Sequence, residues 1–374
     1  MGQDTRFAAE NFGMRRDAFR ARPRLALADL RVIMGGRQAS GKEGECMAPS
    51  SSLTRVTRLR VPVPLPLRWV NVYRIGPAEG PWLLVDTGMD TPDARAAFEA
   101  AFADWPTDRI VGLFLTHYHP DHTGLSGWLQ DRLRVPVYML AAERDLLYRT
   151  FAPDADTADQ VSRYFEQHGM PSALTALIAA DHQASMAVIR LASHIQGVAD
   201  GHRWDLGDET WRVVLAPGHT PAQGLLLHGP SGTLLSGDHV LPRITPNISR
   251  WPGQPPDPLG QYLESLRHLQ TLPLKVAWPA HGDVLTDPLG RVAEILRHHD
   301  LRLGTMEQAL DAGPLTAYEV ARAVFRPDLS PHQWRFAVGE TLAHLEYLER
   351  RGRLAVTPTP PYKFRRVPTP DGGR

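Results

Sequence analysis

Residues 116–124 read Thr-His-Tyr-His-Pro-Asp-His-Thr-Gly, and this nonapeptide decides how the rest of the chain is interpreted. Within six consecutive positions it holds four candidate metal ligands, namely His117, His119, Asp121 and His122. Imidazole nitrogens and carboxylate oxygens are ligands for zinc and for other borderline divalent metals. Core packing does not explain the cluster, because four buried polar groups would compete for the same hydrogen-bond partners. The motif therefore predicts a metal site.

The sequence around the motif predicts where this site lies in the fold. Residues 110–115 form a short apolar run with the length of a buried strand. Gly124 then permits a backbone turn, and a helix-like stretch begins at Leu125. Ligands at the C-terminal edge of a strand are held by the sheet and remain reachable from solvent. We therefore expect the metal site at a sheet edge.

Other segments repeat this arrangement, in which an apolar run is followed by small residues and then by one candidate ligand. The later ligands are His219, Asp238 and His281, and an upstream run ends at Asp86 in an Asp-Thr-Gly sequence. A single histidine after a strand is more often a packing or surface residue than a ligand. The ordered occurrence of all four segments around the cluster reverses that expectation and predicts one shared site.

This set of residues resembles the five-motif signature of the metallo-β-lactamase superfamily, over roughly residues 55 to 300, with every ligand position filled. The resemblance implies an α/β fold, an αββα sandwich with a dinuclear site at one edge. The implied cofactors are two divalent metal ions. Zinc is the default, and iron or manganese would use the same ligands.

The resemblance also implies a role for each ligand. The first metal would be held by three histidines, His117, His119 and His219. The second would be held by one carboxylate and two histidines, Asp121, His122 and His281. Asp238 would bridge the two ions, and Asp86 would orient the ligand loop from behind.

The ligand count predicts hydrolytic chemistry. Two divalent ions that share a carboxylate leave a bridging position for water, whose pKa a metal lowers from about 15.7 to about 7. The resulting hydroxide would attack a carbonyl or phosphorus centre while a metal stabilises the developing oxyanion. Asp121 is the candidate catalytic residue, because it can orient the nucleophile and accept a proton, and Asp86 would support it from behind the ligands.

The family resemblance narrows the substrate. True β-lactamases of the superfamily generally lack the bridging carboxylate and are exported, whereas this chain has Asp238 and we expect no signal peptide. The gap between Asp238 and His281 is too short for the inserted domain of the β-CASP RNA-processing branch. Glyoxalase II-like thioesterases match the ligand set, so the prediction is a small acyl thioester of glutathione or coenzyme A. A mono-iron sulfur dioxygenase shares these motifs and stays open.

Residues 141–200 are longer than a strand–helix crossover needs, and we interpret them as a helical insertion that can act as a lid. Gly169 and Pro171 separate two predicted helices within it. Four residues are candidates for substrate contacts: Tyr118, Arg243, Asn247 and His168. The alternatives are ordinary ones, namely packing behind the site for Tyr118, an ion pair for Arg243, and helix packing for His168.

Residues 301–366 predict a second, small domain, followed by a tail over residues 367–374. A capping box at Thr316 and an N-cap at Ser330 open two helices, and two short strands follow. This order resembles the winged-helix tail of a metallo-β-lactamase subgroup that includes a mitochondrial single-strand endoribonuclease and many bacterial hydrolases. The second helix mixes arginines with glutamates, so no basic face for nucleic acid emerges. A packing or dimerisation module is preferred.

Two alternative functions therefore stay open beside the thioesterase. One is a single-strand endoribonuclease, and the other is a nucleic-acid-binding regulator whose metal site is structural. The composition favours neither, because the formal charge is zero and gives no bulk attraction to nucleic acid or to an anionic membrane. The single cysteine, Cys46, excludes an internal disulfide and a multi-cysteine metal site, and it agrees with a cytoplasmic bacterial enzyme.

The catalytic domain is expected over residues 54–300, preceded by an Arg-rich, irregular segment. We expect this segment, residues 1–53, to be disordered. We also hypothesise that Met47 is the natural start, which intact-mass measurement of the native protein would test.

Overall fold

The computed structural model describes residues 56–368, apart from residues 66, 153–156 and 187. The expectations for residues 1–53 and for Met47 lie outside this described part of the chain, as does most of the predicted tail. A helix long and apolar enough to cross a lipid bilayer is absent from the residues described.

Residues 56–198 form a six-stranded mixed sheet. Its strands are Val56–Pro62 (β1), Trp69–Ile75 (β2), Trp82–Val85 (β3), Ile110–Phe114 (β4), Val137–Leu140 (β5) and Ile195–Val198 (β6). They lie side by side in chain order, with β1 to β3 antiparallel and β3 to β6 parallel. The strand predicted over residues 110–115 is confirmed as β4, which lies inside the sheet and is buried at four of its five positions.

Residues 203–279 form a five-stranded mixed sheet. Its strands are Arg203–Leu206 (β7), Glu209–Leu215 (β8), Gly224–His228 (β9), Thr233–Gly237 (β10) and Val276–Pro279 (β11). The strand order is β11-β10-β9-β8-β7, and only β10 and β11 run parallel. The inner faces of the two sheets share one apolar cluster that includes Leu83, Phe114, Val213 and Leu226. The sheets therefore pack face to face.

Helices cover both outer faces of this sandwich. The described helices up to residue 308 are Pro92–Asp104 (α1), Pro120–Thr123 (α2), Ser126–Leu133 (α3), Ala141–Thr150 (α4), Thr157–Gln167 (α5), Ser172–Met186 (α6), Pro258–Gln270 (α7) and Pro288–Gln308 (α8), with a 3-10 turn at Thr107–Arg109. Phe98, Leu129 and Leu147 join the outer core of the first sheet, and Leu266 and Ile295 join that of the second. The expected order of helix, sheet, sheet and helix layers is confirmed.

The chain after α8 forms a compact unit of two helices and three strands. These are Leu315–Thr316 (β12), Ala317–Val324 (α9), Pro331–Arg350 (α10), Leu354–Val356 (β13) and Lys363–Arg366 (β14). The strands form an antiparallel sheet in the order β12-β14-β13. Both expected helix starts are confirmed, because Thr316 and Ser330 each form a capping box. Helix α10 ends just before Gly352, whose φ of 70° suits glycine.

The insertion between β5 and β6 packs against this C-terminal unit. Its two predicted helices are confirmed as α5 and α6, and Gly169, with a φ of 92°, turns the chain between them. Main-chain amides of Tyr318 and Tyr362 donate to the carbonyls of His168 and Gln167, at 3.2 and 2.8 Å. The insertion, the second sheet and the C-terminal unit consequently share one apolar cluster.

Candidate metal centre

Every candidate ligand lies in a segment that follows the C-terminal end of a strand, and Asp121 and His122 lie within the short helix α2. The loop after β4 carries the nonapeptide, and His119 is the N-cap residue of the short helix α2. His219 follows β8, Asp238 follows β10, and His281 follows β11. These strand ends meet at one edge of the sandwich, as the sequence predicted.

Three histidines form a first cluster. Nε2 of His117 and Nε2 of His219 lie 3.0 and 3.2 Å from Nδ1 of His119. Ligand atoms bound 2.0–2.1 Å from a tetrahedral zinc ion are separated by about 3.3 Å. The three ring nitrogens therefore have the spacing of ligands around one ion.

A second cluster combines one carboxylate with two histidines. Oδ2 of Asp121 lies 3.3 Å from Nε2 of His281 and 3.7 Å from Nε2 of His122. Nε2 is buried in both histidines. This group also has a donor set that suits a divalent metal.

Asp238 lies between the two clusters and directs one oxygen to each. Its Oδ2 is 3.6 Å from Nε2 of His219 in the first cluster. Its Oδ1 is 3.6 Å from Nε2 of His122 and 3.5 Å from Nε2 of His281 in the second. One carboxylate therefore faces ligand atoms of both clusters.

Buried atoms without hydrogen-bond partners support the assignment. Nε2 of His122, Nε2 of His281 and Oδ1 of Asp238 are buried and have no hydrogen-bond partner among the described residues. Leaving a buried polar atom unpaired costs about 1–3 kcal/mol. Three such atoms converge on the second cluster, so a cation coordinated there removes a penalty that the protein alone does not. The residues present therefore fit a divalent metal.

In three of the histidines, Nδ1 contacts another group of the protein. This contact directs Nε2 towards the ligand clusters. Nδ1 of His117 lies 3.0 Å from Oγ1 of Thr116. Nδ1 of His219 faces the carbonyl of Asn247 at 3.0 Å, and Nδ1 of His281 faces the carbonyl of Trp69 at 3.1 Å. Such partners fix the tautomer and the ring orientation of a metal ligand.

Asp86 performs the same function for His122 and also for the loop after β4. Its Oδ2 lies 2.8 Å from Nδ1 of His122, and its carboxylate accepts from the main-chain amide and the hydroxyl of Thr116, at 2.8 and 2.9 Å. Asp86 is buried and has a φ of 64°, a backbone conformation that aspartate tolerates better than most residues. The position implied for it by the sequence, behind the ligands, is the one it occupies.

Burial and neighbouring charges shift the pKa values of the candidate ligands in different directions. Burial, together with the neighbouring His219, lowers the pKa of His119 to about 3, so this ring is neutral, as a ligand must be. Burial alone would lower the pKa of His122, but Asp121, Asp86 and Asp238 raise it above its usual value. Burial would raise the pKa of Asp121, but His122 and His281 lower it to about 2. The carboxylate is therefore ionised and available to a cation.

Glu143, in the first turn of α4, is a site residue that the sequence did not reveal. It is fully buried, and its two oxygens accept from the main-chain amides of Tyr118 and Ala222, at 3.1 and 2.8 Å. It thereby ties the loop of His117 and His119 to the loop of His219. Burial raises the pKa of Glu143 to about 7, although these hydrogen bonds oppose the shift. Both partners are main-chain amides, so no residue pattern marks the contact.

The four candidates for substrate contacts lie in different surroundings. The hydroxyl of Tyr118 accepts from Nε2 of Gln254 at 3.2 Å, and its ring lies 4.7 Å from that of His119. Arg243 is exposed in the loop after β10. Asn247 supplies the carbonyl that holds His219. The ring of His168 lies 4.6 Å from that of Tyr164 and 5.2 Å from that of Tyr362, at the contact between the insertion and the C-terminal unit. Their roles in substrate binding stay predictions.

Comparison with known proteins agrees with this geometry. Residues 66–281 match the Metallo-beta-lactamase superfamily, and residues 303–366 match the metallo-beta-lactamase-like C-terminal domain. A similar solved structure is the metallo-beta-lactamase family protein TTHA1429 from Thermus thermophilus. It is 32% identical in sequence with a TM-score of 0.74, over 83% of this chain and 98% of that protein.

Curated relatives include hydrolases. The chain is 27% identical over 309 residues to the probable metallo-hydrolase YqjP of Bacillus subtilis, covering 79% of this chain and 92% of that protein. It is 26% identical over 236 residues to an atrochrysone carboxyl ACP thioesterase of Aspergillus fumigatus, covering 62% of this chain and 57% of that protein. The match of more than half of the chain to the family, together with the ligand geometry, leads to one conclusion. The chain belongs to the metallo-beta-lactamase superfamily and is a metallo-hydrolase of it.

Proposed function

We propose that this protein is a dinuclear metal-dependent hydrolase of small acyl thioesters. The observation that carries the proposal is the position of Asp238, whose two oxygens face separate ligand clusters. The first ion would be held by three histidines, His117, His119 and His219. The second would be held by Asp121, His122 and His281, with Asp238 shared between the two ions. Zinc is the ion that this mixture of imidazole and carboxylate favours.

Two divalent ions at these ligands would supply an activated water at neutral pH and polarise a carbonyl group. The protein's own groups supply position and charge. Asp121 is ionised and partly accessible, so it can accept a hydrogen bond from the attacking water and orient it. Asp86 and Glu143 hold the ligand loops from behind, which keeps the ligands in place while substrate and product exchange.

Two considerations favour a thioester. A thiolate is a good leaving group, so it departs without a strong general acid. The pKa of Tyr118 is raised to about 12 by burial, which makes its hydroxyl a poor proton donor. The second consideration is the relative named as an ACP thioesterase. The thiol carrier proposed here is glutathione or coenzyme A.

The parts outside the ligand set receive accessory roles in this proposal. Residues 54–300 would be the catalytic domain, with residues 141–200 as a lid. Residues 301–366 would be a winged-helix-like domain, because two helices followed by a β-ribbon have that order. Its packing against the insertion favours a structural role over nucleic-acid binding. The enzyme would act in the cytoplasm.

The test combines metal content with turnover. Purified protein would be analysed by plasma mass spectrometry and assayed for thiol release from acyl-glutathione and acyl-coenzyme A. We expect two zinc ions per chain and thiol release that Asp238→Ala abolishes. Asp208→Asn, an exposed substitution in the turn after β7, is the matched control and should keep activity. One iron without thiol release would favour a sulfur dioxygenase instead, and two metals with cleavage of single-stranded RNA would favour the endoribonuclease.

A further inference from the structure

Helix α10 of the C-terminal unit contacts the segment that orients a metal ligand. This segment, residues 247–250, follows β10 by ten residues and supplies the Asn247 carbonyl that faces Nδ1 of His219 at 3.0 Å. The main-chain amide of Arg250 donates to the carbonyl of Gly339 in α10 at 3.0 Å. The side-chain amide of Asn247 donates to the carbonyl of Phe336, one turn earlier in α10, at 3.4 Å. The segment is thus bound to α10 at two points.

The side chain of Asn247 is occupied by contacts within the protein. The hydroxyl of Ser249 donates to its Oδ1, and its amide lies close enough to the buried carboxylate of Glu340 to lower the pKa of that group. Glu340 in turn lies 3.6 Å from the buried guanidinium of Arg302 in α8. The side chain of Asn247 is therefore held by its own segment and by α10, and α8 reaches it only through Glu340.

Gly339 allows this close approach. A Cβ atom built at Gly339 would lie 2.7 Å from Oγ and 3.0 Å from Cβ of Ser249, and neither distance is tolerated without movement. Glycine is unfavourable in the interior of a helix, so its presence in α10 agrees with a steric requirement. Gly304 in α8 offers the contrast, since a Cβ built there meets no atom within 4 Å.

We propose that α10 sets the position of His219 through Asn247, which makes the C-terminal unit part of the first metal site. Gly339 and Asn247 are positioning residues in this arrangement, and neither binds the ion. The inference rests on the proposed function only in requiring that metal binds at the identified ligands. Displacing the segment by a few tenths of an ångström would turn the imidazole of His219 away from His117 and His119.

The first test measures zinc affinity by competition with a chromogenic chelator, using metal-stripped protein and no substrate. We expect Gly339→Ala and Asn247→Ala each to weaken zinc binding by about 10- to 100-fold, the usual effect of removing a partner of a ligand. Gly304→Ala is the matched control and should bind zinc as the unsubstituted protein does. Thermal unfolding of the metal-free variants shows whether each one folds.

A mutant cycle decides whether the effect passes through His219. In a His219→Ala background the affected ligand is gone, so adding Gly339→Ala should leave the remaining zinc affinity unchanged. An equal loss in both backgrounds would indicate general damage and overturn the proposal. If Gly339→Ala folds poorly, the double variant Gly339→Ala with Ser249→Gly removes the atoms that the new methyl meets. We expect it to regain most of the zinc affinity.

The two possible failures are distinguishable. If the unsubstituted protein binds no metal, the proposed function and this inference both fall. If it binds two zinc ions and Gly339→Ala binds them equally well, only the inference falls.

Discussion

Nδ1 of His122 lies 2.8 Å from Oδ2 of Asp86, and both side chains are almost completely buried. The same carboxylate also accepts twice from Thr116, so one aspartate from the end of β3 holds two points of the ligand loop after β4. Nε2 of His122 is thereby directed at Asp238 and Asp121. Several measurable consequences depend on contacts of this kind.

Asp86→Asn should weaken metal binding at the second cluster. The amide nitrogen of asparagine would face hydrogen atoms of Thr116 or His122, so at least one contact would turn from attractive to repulsive. We expect metal affinity to fall by about 10- to 100-fold, measured by chelator competition. Asp131→Asn, which removes an exposed ion pair with Arg190, is the control and should change nothing. Unchanged metal binding in Asp86→Asn would contradict the orienting role.

Glu143→Gln should destabilise the protein even without metal. One of the two main-chain amides of Tyr118 and Ala222 would then face a donor instead of an acceptor. An unpaired buried amide costs about 1–3 kcal/mol, so the free energy of unfolding in denaturant should fall by that amount. Glu99→Gln, at an exposed pair with Arg132, should change it by less than about 0.5 kcal/mol. A Glu143→Gln protein as stable as the control would show that the hydrogen bonds of Glu143 to the two amides do not stabilise the fold.

Removing the metal should lower the thermal stability of the protein. The ligand atoms of His122, His281 and Asp238 have no hydrogen-bond partners among the described residues, so an ion should bind the folded chain in preference to the unfolded one. At a free zinc concentration 100 times the dissociation constant, the stabilisation is about 2.7 kcal/mol. A chelator should therefore lower the midpoint of thermal unfolding, and Asp238→Ala should reduce that shift. An unfolding midpoint that is insensitive to chelator would argue against metal binding.

A second group of buried histidines predicts acid sensitivity. Nε2 of His344 lies 3.1 Å from Nδ1 of His299, and burial lowers the pKa of His344 to about 3. The nearby guanidinium of Arg302 also lowers the pKa of His344, because it repels the positive charge of a protonated imidazole. The unfolded chain binds this proton near pH 6.5 and the folded chain does not. The stabilisation is therefore complete above pH 6.5 and is lost as the pH falls towards 3.

The size of this effect follows from the pKa difference. Between pH 6.5 and pH 5, one such histidine reduces the free energy of unfolding by about 2 kcal/mol. In metal-free protein, His344→Gln should therefore lose less stability over this interval than the unsubstituted protein does. His194→Gln, at an exposed histidine, is the control. Parallel pH profiles for His344→Gln and the unsubstituted protein would refute the assignment.

The ligands could be predicted from the sequence because a strand pattern marks their place. An apolar run followed by small residues identifies a strand end, and His219, Asp238 and His281 each stand at one. The helix starts at Thr316 and Ser330 were equally predictable, since a capping box is a local signal. All of these features depend on residues close together in the chain.

The groups behind the ligands could not be predicted in the same way. Glu143 bonds to amides that are 25 and 79 residues away, and His219 and His281 bond to carbonyls of Asn247 and Trp69. Every residue has a main-chain carbonyl, and all but proline have an amide hydrogen, so neither leaves a mark in the sequence. Asn247 is predicted to contact substrate, and its carbonyl is the atom that faces the ligand His219. The one mark of this contact in the sequence is Gly339, because a glycine in the interior of a helix indicates a close approach by another segment.

The orientation of His281 by the carbonyl of Trp69 has a consequence for how this protein can vary. The atom that fixes the ligand survives almost any substitution at position 69, so the side chain there is free to vary. What must be preserved is the register of β2 against β1, in which Trp69 pairs with Pro62, since a slip of one residue would move the carbonyl. Homologues should therefore differ widely in the residue at this position and very little in the register of the two strands.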